Sequence, residues 1–155
     1  MQTETAFAKA IATKYPEQVA IAIARDSGGK YNPITLGWVM QTSGTPPMMA
    51  ISVGKTRYSL PTIRTAGEFV IAFPSGLQEE ETMLFGTKSG RDTDKLAEAG
   101  TKTQPASKID GVLLQDAVAN FECRLAAELE TGDHVILVGQ VVCSHVNENQ
   151  GRIQA

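Results

Sequence analysis

Lys55, Thr56, Arg57 and Ser59 fall within five positions of one another, in the run Met48–Ser59, MMAISVGKTRYS. Two cations, two hydroxyls and backbone N–H groups meet there at a strand end, just ahead of a helix start. That combination suits a phosphate monoester. The plainer reading is a solvated turn whose Lys and Arg face water. The stretch also contains Gly54-Lys55-Thr56, the tail of a P-loop. A P-loop needs a glycine five residues before Gly54, where Met49 stands, and Ala50, Ile51, Ser52 and Val53 read as strand. No long helix begins at Lys55 to receive a triphosphate, so the NTPase reading fails while phosphate chemistry stays open.

The elements around this stretch must position it. Thr3–Tyr15 reads as a helix with Ala6, Phe7, Ala10 and Ile11 on one face, closed by Pro16. Strands are expected at QVAIAIARD, ITLGWVMQTS, MMAISVGK and EFVIAFP. Ser59 is placed to cap a short helix, LPTIRTA, that stops at Gly67. A polar helical stretch follows, split at Gly86, with Asp92 capping a second piece that ends at Gly100. TKTQPASKIDG reads as a loop. VANFECRLAAELE alternates Phe121, Cys123 and Leu125 against Glu122, Arg124 and Ala126, the pattern of a half-buried strand. HVILVGQVVCSHV reads as a strand buried on both faces, and its VILVGQVV run suits either a core or a subunit interface. The order is mainly β with short helices inserted, which favours an antiparallel barrel over a doubly wound parallel sheet.

With 155 residues, one domain spanning 1–155 is expected, with a polar tail from about residue 147. The net charge of −3 argues against nucleic-acid binding, and no basic block addresses a membrane surface. No apolar run reaches the length of a membrane span and the N-terminus lacks a signal pattern, so a cytoplasmic protein is expected. Cys123 and Cys143 lie far apart in strand-like runs and read as two buried thiols. With only two histidines, His134 and His145, no metal cluster can be read.

Asn32–Ser75 resembles the core of the flavin-reductase-like proteins, including the flavoredoxins. It carries Asn-x-x-Thr-x-x-Trp, a Thr-Ser pair, Pro-Pro, a strand ending in basic residues, Arg-Tyr-Ser, a helix, and Gly-Glu-Phe-Val in that order. Gly86–Gly100 is similar to the family's Gly-x-x-Ser-Gly-Arg-x-x-Asp-Lys segment, and Thr131–Val142 to its Gly-Asp-His-x-x-x-x-Gly-x-Val segment. The resemblance runs from about Val19 to Val146. It implies an FMN-binding split barrel of antiparallel Greek-key type, a homodimer with flavin near the subunit interface, and electron transfer from NADH or NADPH through FMN. The phosphate then belongs to the ribityl chain.

Under that resemblance, Lys55 and Arg57 are charge partners of the phosphate, with Thr56 and Ser59 as donors. Thr42 and Ser43, with Met40 and Gln41 before them, stand where the isoalloxazine edge would need hydrogen bonds; a plain turn is the alternative. Trp38 is either core or a wall of the flavin site, and Thr35 shares its motif. Asn32 can be a simple turn residue. Ser52 faces either the ribityl chain or a polar rim, beside Val53. Ser89 and Arg91 could reach flavin or cofactor, Arg91 across a dimer interface, where a surface ion pair is the plainer role. Asp92 and Lys95 read as helix-cap and helix-face residues. His134 is either a structural histidine at a turn or a proton-transfer group near flavin.

Three functions fit: an NAD(P)H-dependent flavin oxidoreductase delivering electrons to a small-molecule or protein acceptor, a non-enzymatic FMN carrier, and a flavin-free dimeric barrel. In the first two the flavin does the chemistry, and no catalytic side chain is expected.

Overall fold

The computed structural model of the protein describes residues 1–148. The tail expected from about residue 147 lies, from residue 149 onward, outside the described residues.

Two strands are apolar along all but one end and are buried on both faces there. In β1 (Ala20–Arg25), Ala20, Ala22 and Ala24 join one core while Ile21 and Ile23 join another. In β5 (Glu68–Phe73), Phe69 and Ile71 face the first core and Val70 and Ala72 the second. Successive side chains on a strand point to opposite faces, so such a strand must lie between two layers.

The remaining strands are β2 (Tyr31–Leu36), β3 (Val39–Gly44), β4 (Pro47–Gly54), β8 (Ala119–Thr131) and β9 (His134–Val146). With β1 and β5 they form one antiparallel sheet in the order β2-β1-β5-β8-β9-β4-β3. Strands from across this sheet share the first core, which gathers Ala22, Ile51, Val53, Phe69, Cys123 and Leu137, with Ile34 and Val39 packed against it. The sheet therefore curls round that core, as the barrel expectation requires. The hydrogen-bonded ladder does not close, because β2 and β3 are its two ends. Pro33 sits on the edge strand β2, where proline is tolerated.

Several elements differ from the sequence reading. ITLGWVMQTS is two strands, because the chain leaves β2 at Gly37 and Trp38 and starts β3 at Val39. The N-terminal helix shrinks to α1 (Phe7–Ala12) and buries none of its residues, so tertiary packing does not extend it. Helix α2 (Ser59–Ala66) ends at left-handed Gly67, as Gly's freedom at that position allows, but Tyr58 occupies the N-cap and no side chain caps it. Helix α3 (Glu79–Thr87) runs through Gly86, and α4 (Lys95–Ala99) is capped by Asp94 rather than Asp92.

Of the loop expected at TKTQPASKIDG, Thr103–Pro105 is strand β6, and it pairs with β7 (Val112–Leu114) just beyond the loop in a short hairpin. Leu113 and Leu114 belong to the second core. This hairpin overturns the alternation expected in β8. Asn120 exchanges two hydrogen bonds with the Leu114 backbone, and Glu122, fully buried, accepts N–H groups of Ser107, Lys108 and Ile109. The face expected to meet water is thus covered by backbone that needs acceptors. Strand β9 is not buried on both faces: Val135, Leu137 and Gly139 are buried, and the residues between them are half-buried. Gly139 allows close approach, since a Cβ there would lie 2.7 Å from both Cys123 Cβ and Phe69 Cζ. Cys143 is half-buried, not buried.

Candidate functional site

One concavity is a cavity of about 560 Å³. That is the size of pockets that take cofactors. The end of β2 and the β2–β3 turn supply Thr35 and Trp38. The end of β4 supplies Ser52, Val53 and Gly54, and the turn into α2 supplies Thr56, Arg57, Tyr58 and Ser59. The end of α3 and the loop before α4 close it with Lys88, Ser89, Gly90 and Arg91; Lys95 and His134 complete the lining.

Charge is the cavity's main feature. Arg57, Lys88, Arg91 and Lys95 line it, and no carboxylate among the described residues does. Lys88 is held by Glu98 outside the lining. Arg91 lies over the Tyr58 ring, its guanidinium carbon 5.6 Å from the centroid. Arg57 has no carboxylate within salt-bridge reach among the described residues.

Lys95 is only 3% exposed, and its ammonium donates to the carbonyls of Pro33 (2.7 Å) and Phe85 (2.9 Å). Burial, with Arg57 adding repulsion, pushes its pKa down to about 8. A helix N-terminus without a side-chain cap, that of α2, starts at the same place. Cations gathered at such a terminus make an anion site.

The supporting contacts fix the walls. Thr35 donates its hydroxyl to the Thr82 carbonyl (2.7 Å), tying β2 to α3. Tyr58 donates to Asp26 (3.0 Å); burial and this hydrogen bond raise its pKa. Asn32 is buried in β2 rather than in a turn, and its amide donates to Ser59 Oγ (2.9 Å). Its Oδ1 has no protein partner. Gly90 passes so close that a Cβ there would lie 1.9 Å from that oxygen. Lys30 donates to the Gly90 carbonyl (2.6 Å), which fixes the 89–91 loop over the cavity.

Trp38 is 51% exposed and belongs to the cavity rim, not to the core. Its ring lies 4.5 Å from that of His134, whose Nδ1 is 2.7 Å from Asp133.

The fold therefore brings Thr35, Trp38, Ser52, Val53, Thr56, Arg57, Ser59, Ser89 and Arg91 to one cavity. Lys55 is placed elsewhere: its ammonium pairs with Glu130 and its N–H donates to Asp133. Strand β4 ends at Gly54, and Lys55 lies in the turn just after it, where Glu130 of β8 takes its ammonium. Met40, Gln41, Thr42 and Ser43 lie along β3, beyond the cavity. Met40 instead borders a separate groove with Trp38, Ser52 and Ile136. Gln41 bonds the Ser43 carbonyl (3.3 Å) beside a bulge in the β3–β4 pairing.

Sequence reasoning missed Tyr58, Lys88 and Gly90 as site residues, and it took Lys95 for a helix-face residue with no part in the site.

A curled antiparallel sheet with a cavity lined by four cations is the frame of the chain. The flavin reductase like domain model matches residues 12–153, and the chain belongs to that family. The actinorhodin polyketide dimerase of Streptomyces coelicolor is 32% identical over 137 residues, covering 87% of this chain and 73% of that protein. An NADH-dependent FMN reductase of Streptomyces nodosus subsp. asukaensis is 30% identical over 137 residues, covering 88% and 72%. The crystal structure of a flavoredoxin from Methanosarcina acetivorans superposes with a TM-score of 0.80 at 27% identity, covering 87% of this chain and 71% of that one. The chain spans 47% to 73% of the length of four relatives it matches. Among the described residues no helix is long and apolar enough to cross a membrane.

Proposed function

We propose that the protein binds FMN non-covalently in this cavity and serves as an NAD(P)H-dependent flavin reductase. The observation that carries this reading is the lining itself. Four cations and no carboxylate gather at an uncapped helix N-terminus, in a space of cofactor size. The buried Asn32 oxygen without a protein partner lies beside it and fits a ligand-bearing site.

Arg57, Thr56 and Ser59 would hold the 5′-phosphate, with Lys95 beneath them and Arg91 alongside. Thr35, Trp38, Ser52 and Val53 would border the remainder of the flavin. When bound, the flavin supplies the redox chemistry, accepting hydride from nicotinamide C4 at N5. The side chains bind, orient and exclude water.

The similarity to an NADH-dependent FMN reductase supports the FMN and NADH assignments. A homodimer is part of the same proposal. Trp38 (51% exposed) and Met40 (62% exposed) form an apolar margin beside the cavity that a second copy would cover. The electrons would pass on to a small-molecule or protein acceptor.

The test is direct. The purified protein should carry or take up FMN with a flavin spectrum, and should oxidise NADH or NADPH with added flavin. Colourless protein that takes up no flavin would sink the reading. Tight FMN binding without turnover of either nucleotide would leave an electron carrier.

A further inference from the structure

Far from the cavity, the last residues of β9 assemble a second polar cluster. Glu122 and Cys143 face each other across the β8–β9 ladder, and His145 follows two residues along β9, opposite Asn120. One ligand atom from each of Glu122, Cys143 and His145 lies within 4.8 Å of the others. Cys143 lies nine positions along β9 from His134, which is at the cavity. At strand rise that is roughly 30 Å.

We propose that Glu122, Cys143 and His145 form a binding site for a borderline-soft divalent cation of the zinc type. Thiolate, imidazole and carboxylate together are the donor set such an ion prefers, and three protein ligands leave a fourth position for water.

The geometry supports the assignment in two ways. Glu122 is fully buried, yet three backbone N–H groups fix its carboxylate at 2.6 to 3.2 Å. A ligand already oriented in this way loses little freedom on binding. The other two donors lie on the open side, with Cys143 half-buried and the His145 side chain 26% exposed. An ion can therefore reach them. A bulge next to this point, with Val142 as the extra residue, lets the pair at Glu122 and Cys143 keep its register while the chain beyond shifts.

His145 Nε2 now sits 2.5 Å from Glu122 Oε2. Tetrahedral zinc holds its ligand atoms about 3.3–3.6 Å apart. Binding therefore opens that contact by about 1 Å. His145 makes the movement, since it is the partly exposed member and Glu122 is pinned. The thiol gives its proton to solvent, and the imidazole turns an unprotonated nitrogen to the ion. Carboxylate and thiolate then balance the two positive charges. The ion would clamp β8 and β9 together where the 107–109 backbone docks.

The full-length protein, with whatever flavin it carries, is titrated with Zn²⁺ by calorimetry and examined by zinc-edge X-ray absorption. One ion per chain is expected, with a single sulfur neighbour. Cys143→Ala should remove the sulfur neighbour and weaken binding by more than about tenfold. Cys123→Ala should leave both unchanged, because Cys123 is buried, its thiol pushed up to about 12 by burial and by Glu122. His145→Gln, which keeps a donor for Glu122, gives a second variant should Cys143→Ala fail to fold, with the same tenfold loss expected. No stoichiometric binding, no sulfur neighbour, or binding unaffected by Cys143→Ala or His145→Gln would overturn the proposal. Neither readout involves flavin, so failure here is separate from failure of the flavin reading.

Discussion

Replacing Arg57 with Ala should weaken FMN and leave riboflavin nearly untouched. Arg57 lines the cavity beside the α2 N-terminus and has no carboxylate partner among the described residues. A hydrogen bond between charged groups contributes about 1.5–3 kcal/mol. At about 1.4 kcal/mol per tenfold, its loss raises the Kd by roughly 10- to 150-fold. One effect runs the other way. Arg57 repels protonated Lys95 and helps lower its pKa to about 8. At that pKa Lys95 is already about nine-tenths protonated at pH 7, so the charge it gains without Arg57 offsets little. The expected loss for FMN therefore stays at about 10- to 150-fold. Riboflavin has no phosphate and should change less than about twofold.

Lys55→Ala is the control. Lys55 is tied to Glu130 away from the cavity, so FMN affinity should change less than about threefold. Fluorescence quenching titrations of the two flavins against wild type and both variants give all the numbers. Equal losses for FMN and riboflavin, or a larger loss from Lys55→Ala than from Arg57→Ala, would refute the placement of the phosphate.

Three further outcomes are expected. Lys95 has a folded pKa of about 8 against an ordinary 10.5, so the unfolded chain binds more protons between those values. The flavin-free protein should gain up to about 3 kcal/mol of stability as pH rises from 8 to 10.5. Urea unfolding across that range should show the rise, and Lys95→Met should flatten it. Gly90→Ala places a Cβ 1.9 Å from Asn32 Oδ1, so the 89–91 loop must shift. FMN binding should fall by at least about tenfold and stability by about 1–3 kcal/mol, read by titration and thermal melts. Gly139→Ala puts a methyl 2.7 Å from Cys123 Cβ and Phe69 Cζ in the core. It should cost about 1–3 kcal/mol of stability, and urea midpoints with unchanged FMN affinity in the surviving fold would place the effect in packing.

Much of the site was legible because its parts are local. Thr56, Arg57 and Ser59 sit in one short turn, and the turn chemistry announces itself whatever the rest of the chain does. The same locality misled at Lys55. Two cations two positions apart look equivalent in a string, but they leave the turn after β4 toward different partners, and Glu130 on β8 claims Lys55. Met40 to Ser43 were misplaced for a related reason. The break at Gly37 and Trp38 starts a new strand that carries them away from the cavity. Lys95 read only as a helix-face residue because helix periodicity says nothing of which element lies opposite. Only the docking of α4 against β2 and α3 buries it and provides its two carbonyl acceptors.

By itself the sequence determined the apolar runs, and with them the strands β1, β4, β5, β8 and β9, the stops at Gly67 and Gly100, and the family. These follow from short-range rules: side-chain alternation, the conformational freedom of glycine, and motifs contiguous in the chain. Tertiary structure alone decided which cations share a cavity, why Glu122 is buried, and that Cys143 and His145 meet it. Each depends on a pairing register or a docked hairpin joining residues distant in sequence. One shift in that register would send every such side chain to the opposite face.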